Sequence, residues 1–144
     1  MIRKCMIIIG LSIALSACAA KYATGPLFSE APPPPLKKSI LYIYRVDSPL
    51  VWTPIVRIND KPFVELAKLG YSYTYLSPGI YKLTIEYGGK ASAFITEFFI
   101  EEGQEVFKKY YDSGSQKLLT DLPKTKALDE IKEYRYIEPL NTRF

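Results

Sequence analysis

The chain has 144 residues, 48% hydrophobic and 14% aromatic, with 12 Tyr, 2 Cys and no His. Its 19 basic and 15 acidic side chains balance to a net +4, without the clustered Lys and Arg of a nucleic-acid footprint. The absence of histidine removes the commonest general base, the usual partner of a Ser or Cys nucleophile and the commonest metal ligand.

The chain opens with a short basic region, Arg3-Lys4, followed by an apolar run from Cys5 to Ala14. Small residues then lead to a cysteine in Leu15-Ser16-Ala17-Cys18. This is the pattern of a secretory signal, too short and wrongly flanked for a spanning helix. The Leu-Ser-Ala-Cys run resembles a lipobox, which implies cleavage before Cys18 and acylation of its sulfur. Residues 1–17 are therefore read as a lipoprotein signal peptide, and the lipid bilayer as a partner through acylated Cys18. Two or more acyl chains anchor stably where one, at about 0.8 kcal/mol per buried methylene, is marginal. Loss of residues 1–17 would take Arg3 and Lys4 from the basic residues and nothing from the acidic ones, leaving 17 against 15. Ala19 after the cysteine, in place of Asp, implies the periplasmic face of the outer membrane in a Gram-negative host.

Residues 18–38 read as the lipidated N-terminus and a tether. Thr24-Gly25-Pro26 breaks regular structure, and Pro32 to Pro35 favours polyproline II at roughly 3.1 Å per residue. A β-domain is expected over residues 39–138. Ile40-Leu41-Tyr42-Ile43-Tyr44-Arg45 is apolar on both faces until the arginine, as in a central strand. Ile55 to Ile58 follows, and Asn59-Asp60-Lys61-Pro62 is a turn in which Asn and Asp tolerate left-handed geometry. Phe63 to Ala67 returns as its hairpin partner.

Tyr71-Ser72-Tyr73-Thr74-Tyr75 alternates, and Ser77-Pro78-Gly79 ends it. Tyr81 to Tyr87 is the clearest amphipathic strand, with Tyr81, Leu83, Ile85 and Tyr87 facing the core. Gly88-Gly89 signals a hairpin. Phe94 to Ile100 and Glu105 to Tyr111 are further strands, joined at Glu101-Glu102-Gly103-Gln104. Lys124 to Tyr134 has the spacing of a short amphipathic helix through Leu128 and Ile131. Tyr134 to Ile137 is a closing strand, and residues 139–144 form a tail that frays from Asn141 to Phe144. Connections this short imply a mostly β fold, a small antiparallel β-sandwich or partly open barrel with one short C-terminal helix.

Several of these features occur together in one known pattern: the cysteine-terminated signal, the Pro-rich spacer, Tyr42-Ile43-Tyr44-Arg45, Asn59-Asp60-Lys61, Ser77-Pro78-Gly79 and Gly103-Gln104-Glu105. The chain resembles the bacterial lipoprotein family called domain of unknown function 2846, itself similar to PEGA-type β-domains, over about residues 36–138. The resemblance implies a small β-domain on a lipid anchor, with an arginine at the position of Arg45, and carries no catalytic residues. The chain departs from it at Asp60-Lys61, where the usual intervening glycine is absent.

Candidate binding residues are few. Tyr71, Tyr73 and Tyr75 share one strand face and read either as an aromatic platform or as core with hydroxyls at the rim. Trp52, in a loop, reads as an interface residue or a lipid-facing contact, or as a plug at the sandwich end. Arg45 reads as a partner for an acid or for carbonyls, or as a ligand contact. Glu97, Glu101, Glu102 and Glu105 lack the spacing of a calcium loop. No metal site, cofactor or catalytic set is expected. The pattern points to a non-enzymatic envelope lipoprotein that binds another envelope protein or the cell wall. The alternative is a small-ligand or glycan-binding module using the Tyr-rich face. A hydrolase working with Asp and Glu alone would need two carboxylates about 5–10 Å apart, and nothing in the spacing suggests such a pair.

Overall fold

A computed structural model describes residues 20–88 and 94–144. Cys18, with the rest of the signal region, and Gly89 lie outside the described residues. The strands are β1 (Ser39–Arg45), β2 (Ile55–Ile58), β3 (Lys61–Glu65), β4 (Gly70–Leu76), β5 (Gly79–Glu86), β6 (Phe94–Ile100), β7 (Glu105–Asp112), β8 (Lys117–Leu122) and β9 (Arg135–Tyr136). One helix, α1 (Lys124–Ile131), precedes β9. They form two open sheets, β8-β7-β1-β4-β9 and β3-β2-β5-β6. Among the described residues the fold is a β-sandwich with one short helix and no closed barrel.

β1 lies at the centre of the five-stranded sheet and all seven of its residues are buried. Leu41 and Ile43 face the second sheet, where they meet Val56, Ile58, Leu83 and Ile85. Ile40, Tyr42 and Tyr44 face the opposite way into a second core with Tyr71, Phe107, Ala127 and Ile131. A strand apolar on both faces needs a cover on both sides. α1 supplies part of the outer cover, and Glu130 pins it by accepting from the Tyr44 hydroxyl at 2.9 Å and pairing with Lys109 at 2.8 Å.

The rest of that cover comes from the segment read as a tether. Leu27 bridges Arg135 in antiparallel fashion, Phe28 N donates to Tyr134 O at 2.8 Å, and Tyr136 N donates to Pro26 O at 2.8 Å. The Phe28 ring packs edge-on against Tyr71 with centroids 4.9 Å apart. Ala31 N donates to the Tyr42 hydroxyl at 2.8 Å, and the Tyr75 hydroxyl donates to Pro32 O at 2.8 Å. Residues 20–32 are thus a strap bound along the domain, which corrects the reading of this segment as a free spacer. Phe28 and Leu27 offer apolar area, and the buried tyrosines need partners for their hydroxyls.

Three further expectations change. β1 pairs with β7 in parallel, Leu41 opposite Val106, and β4 pairs with β9 in parallel, so the sandwich is mixed and not wholly antiparallel. β8 was not expected. It follows a tight turn in which Asp112 Oδ1 accepts from Gly114 N at 2.7 Å and Ser113 N donates to Gln116 O at 3.0 Å. The C-terminal tail is docked: Leu140 N donates to Phe63 O at 2.7 Å, and the Phe144 ring meets Phe63 nearly perpendicular with centroids 5.7 Å apart. The turn lacking its glycine closes with Asn59 at φ 48° and Asp60 at φ 66°, the left-handed pair of a two-residue hairpin.

Gly25 sits so close to β9 that a Cβ there would fall on the Tyr136 carbonyl oxygen. Gly25→Ala is expected to lift the strap and cost roughly 1–3 kcal/mol, read as a lowered denaturation midpoint with faster proteolysis near residues 20–31. A second expectation concerns Tyr42. Burial, opposed by the Ala31 amide, pushes its hydroxyl from 10.0 up to about 12. The folded value lies above the unfolded one, so its contribution to stability is whole below pH 10 and is lost as pH rises through about 12. Denaturation midpoints across that window should fall less steeply for Tyr42→Phe than for the unaltered chain.

Candidate functional site

Arg45, the last residue of β1, is 0% exposed. Its guanidinium donates from Nη1 to Leu66 O at 3.2 Å and from Nη2 to Leu50 O at 2.9 Å, while Nε has no partner among the described residues. Burial lowers its pKa, and Tyr87, Tyr110 and Asp112 nearby oppose that shift. Beside it, the Tyr87 and Tyr110 hydroxyls donate to Asp112 Oδ2 at 2.8 and 2.9 Å and lie 2.9 Å from each other. Burial raises the pKa of both tyrosines, which keeps them protonated donors. The cluster closes one end of the sandwich and ties two loops to it. It caps carbonyls, one of the roles read from the sequence.

The Tyr-rich face is not an open platform. Tyr71 is buried, and Tyr73 and Tyr75 are half-buried against Tyr42, Tyr136 and each other. The strap roofs this face through Phe28, Ala31 and Pro32. The three side chains form core with hydroxyls at the rim, the second of the two sequence readings. Trp52 is 68% exposed in the loop between β1 and β2. Glu105 is taken up by Lys124 at 2.5 Å. Among the described residues no three His, Cys, Asp or Glu side chains gather as metal ligands.

The surface feature that sequence reasoning missed is the free edge of β6. Asn59 N donates to Lys82 O at 2.9 Å and Lys82 N donates to Asn59 Oδ1 at 3.0 Å. The backbone of Lys82 therefore points toward β2, and Lys82–Glu97 is a non-hydrogen-bonded pair of the β5–β6 ladder. It follows that the N–H and C=O groups of Ile95, Glu97 and Phe99 point away from β5, off the edge of the sheet. No backbone partner meets them among the described residues. Their side chains lie on the outer face, where Ile95 and Phe99 are each 59% exposed and Ile80, opposite Phe99, is 70% exposed. Only Glu97 interrupts this apolar edge.

The other sheet edges are covered or polar. β3 carries Pro62 and is met by the C-terminal tail. β9 is met by the strap. β8 carries Lys117 and Asp121, edge charges that discourage pairing, beside the exposed Leu118. Between β6 and β8 lies a groove of about 320 Å³, lined by Phe94, Thr96, Phe98, Lys108, Leu119 and Asp121. Lys108, almost wholly buried, reaches Asp121 at 2.6 Å and lies 4.7 Å from the centre of the Phe98 ring. The sequence signal for this edge is a run of apolar residues on both strand faces, Phe94 to Ile100, with one charge and no proline.

No protein-family model matches this chain, and no curated protein matches it.

Arg45→Met keeps most of the buried stem and strips the donors. With the Leu50 and Leu66 carbonyls left unpaired, a loss of about 1–3 kcal/mol per buried acceptor is expected, measured as the shift in urea denaturation midpoint.

Proposed function

We propose that this chain is a membrane-anchored envelope lipoprotein, acylated at Cys18, that acts without catalysis as a binding module for another envelope protein. The partner supplies an extended segment that pairs with the free edge of β6. Supporting this reading is one observation above the others: Ile95, Glu97 and Phe99 present a largely apolar strand edge beside a groove, unpaired among the described residues. Strand addition uses such edges, with backbone hydrogen bonds giving affinity and alternate side chains giving specificity. The segment that fits carries apolar residues opposite Ile95 and Phe99 and a Lys or Arg opposite Glu97. A second copy fits less well, because the longest antiparallel self-pairing, centred on Glu97, sets that carboxylate against itself. The signal and lipobox support a place on the periplasmic face of the outer membrane in a Gram-negative host. The glycan alternative is weakened by the strap that roofs Tyr71, Tyr73 and Tyr75.

The test is photo-crosslinking in cells, with the crosslinker replacing Ile95 or Phe99, in chains with and without Glu97→Pro. The N–H of Glu97 points off the sheet, so proline there spares the β5–β6 ladder and obstructs an incoming strand. One envelope protein should be captured at both positions, and Glu97→Pro should cut the yield roughly tenfold, equivalent to about 1.4 kcal/mol, with the melting temperature retained. Adducts indifferent to Glu97→Pro, adducts to a second copy alone, or capture of glycan alone would refute the reading.

A further inference from the structure

We infer that the sandwich stands end-on against the bilayer, with the loop between β1 and β2 carrying Trp52 into the headgroup region. This rests on acylation of Cys18 as proposed above, but on a different surface from the β6 edge. The chain leaves the domain at a defined place. Lys68 N donates to Lys21 O at 3.0 Å, Ala23 N donates to Lys68 O at 3.0 Å, and Lys21 pairs with Glu65 at 2.9 Å. Cys18 is two residues before Ala20, so at about 3.3–3.6 Å per residue it is within roughly 7 Å of it. The lipid is therefore held near the turn between β3 and β4.

The β1–β2 loop is bound to that same turn. The Lys68 ammonium donates to Ser48 O and lies 3.4 Å from Asp47. Leu66 N donates to Pro54 O at 2.9 Å, and Arg45 bridges Leu66 O to Leu50 O. Tyr22 reaches the same loop, with its hydroxyl 3.4 Å from the Asp47 carboxylate. Between these ties the loop projects Val51 and Trp52, both exposed, beside the half-buried Leu50. Tryptophan favours the membrane–water interface, where its ring is apolar and its N–H stays wet. Acyl chains tethered to the turn that binds this loop would hold it at high effective concentration against the surface.

The proline run sits at the other end. Lys38 N donates to Pro35 O at 3.0 Å just before β1 begins, and the Lys38 ammonium donates to Ser77 at 2.8 Å beyond the end of β4. β1 runs seven residues from this end to Arg45, its last, about 20 Å at the usual strand rise. The prolines therefore lie far from the bilayer and do not space the domain from it.

Trp52 is the only tryptophan in the chain, so its fluorescence reports the loop alone. The acylated protein would be placed in vesicles of phosphatidylethanolamine and phosphatidylglycerol. The comparison is Leu36→Trp in a Trp52→Phe background, since Leu36 lies beside the proline run and is 87% exposed. Trp52 should shift to the blue, lose quenching by aqueous acrylamide and be quenched by lipids brominated near the headgroup. The tryptophan at position 36 should stay accessible to acrylamide and untouched by the bromolipids. Two wet tryptophans would overturn the end-on placement, as would two quenched by lipid. Mass measurement of the N-terminal peptide, with Cys18→Ser as control, separates the premises. An acylated protein with a wet Trp52 refutes this inference and leaves the proposed anchor intact; a peptide without acyl mass refutes both.

Discussion

The double burial of β1 dictates how the sandwich is assembled. A strand with Leu41 and Ile43 on one face and Ile40, Tyr42 and Tyr44 on the other is stable only between two covers. The second sheet is one cover, and its inward residues come from β2, β3, β5 and β6. The other cover is assembled from pieces with little structure of their own, the eight-residue α1 and the strap. Both are held by tyrosine hydroxyls reaching outward from the sheet, Tyr44 to Glu130, Tyr42 to Ala31 and Tyr75 to Pro32. The abundance of tyrosine follows from this arrangement, since each ring fills core while its hydroxyl fastens what lies above.

The sheet edges are finished in different ways. Both ends of the described chain serve as edge covers, the strap on β9 and the tail on β3. β8 discourages pairing with charge, and β6 does so only with Glu97. An apolar edge without a partner invites pairing with another chain, and among the described residues no backbone group pairs with that of β6 off the sheet.

Local pattern made much of this legible in the sequence. β5 was readable because its side chains alternate without a break, β1 because it does not alternate at all, and the Asn59-Asp60 turn because those residues accept left-handed geometry. α1 was readable from its spacing, although Ala127 and Ile131 are the residues it buries and Leu128 is only partly covered. What stayed hidden depends on partners distant in sequence. Nothing near Leu41 announces a parallel neighbour at Val106. Phe28 and Phe144 look like ordinary residues of flexible ends until Tyr71 and Phe63 are seen beneath them. Which strand ends a sheet is equally non-local, so the β6 edge could be seen as apolar but not as free. Tyr71, Tyr73 and Tyr75 were grouped correctly on one face, while the cover over that face came from a segment whose prolines suggested only stiffness.

The direction in which the strap runs sets how the molecule answers a pull. If the lipid at Cys18 holds one end and a bound partner draws the domain away, tension enters at Lys21 and reaches the strap's hydrogen bonds one after another, beginning at Lys68. Bonds loaded in sequence part at lower force than bonds loaded together, so the strap would peel before the sheets shear. Each residue released adds contour length. Freeing Ala20 to Lys38 would yield on the order of 60 Å of chain, with Pro32 to Pro35 as its stiff portion. On an anchored chain the same segment would be a reserve of reach, drawn out under load and wound back onto β9 when the load is removed.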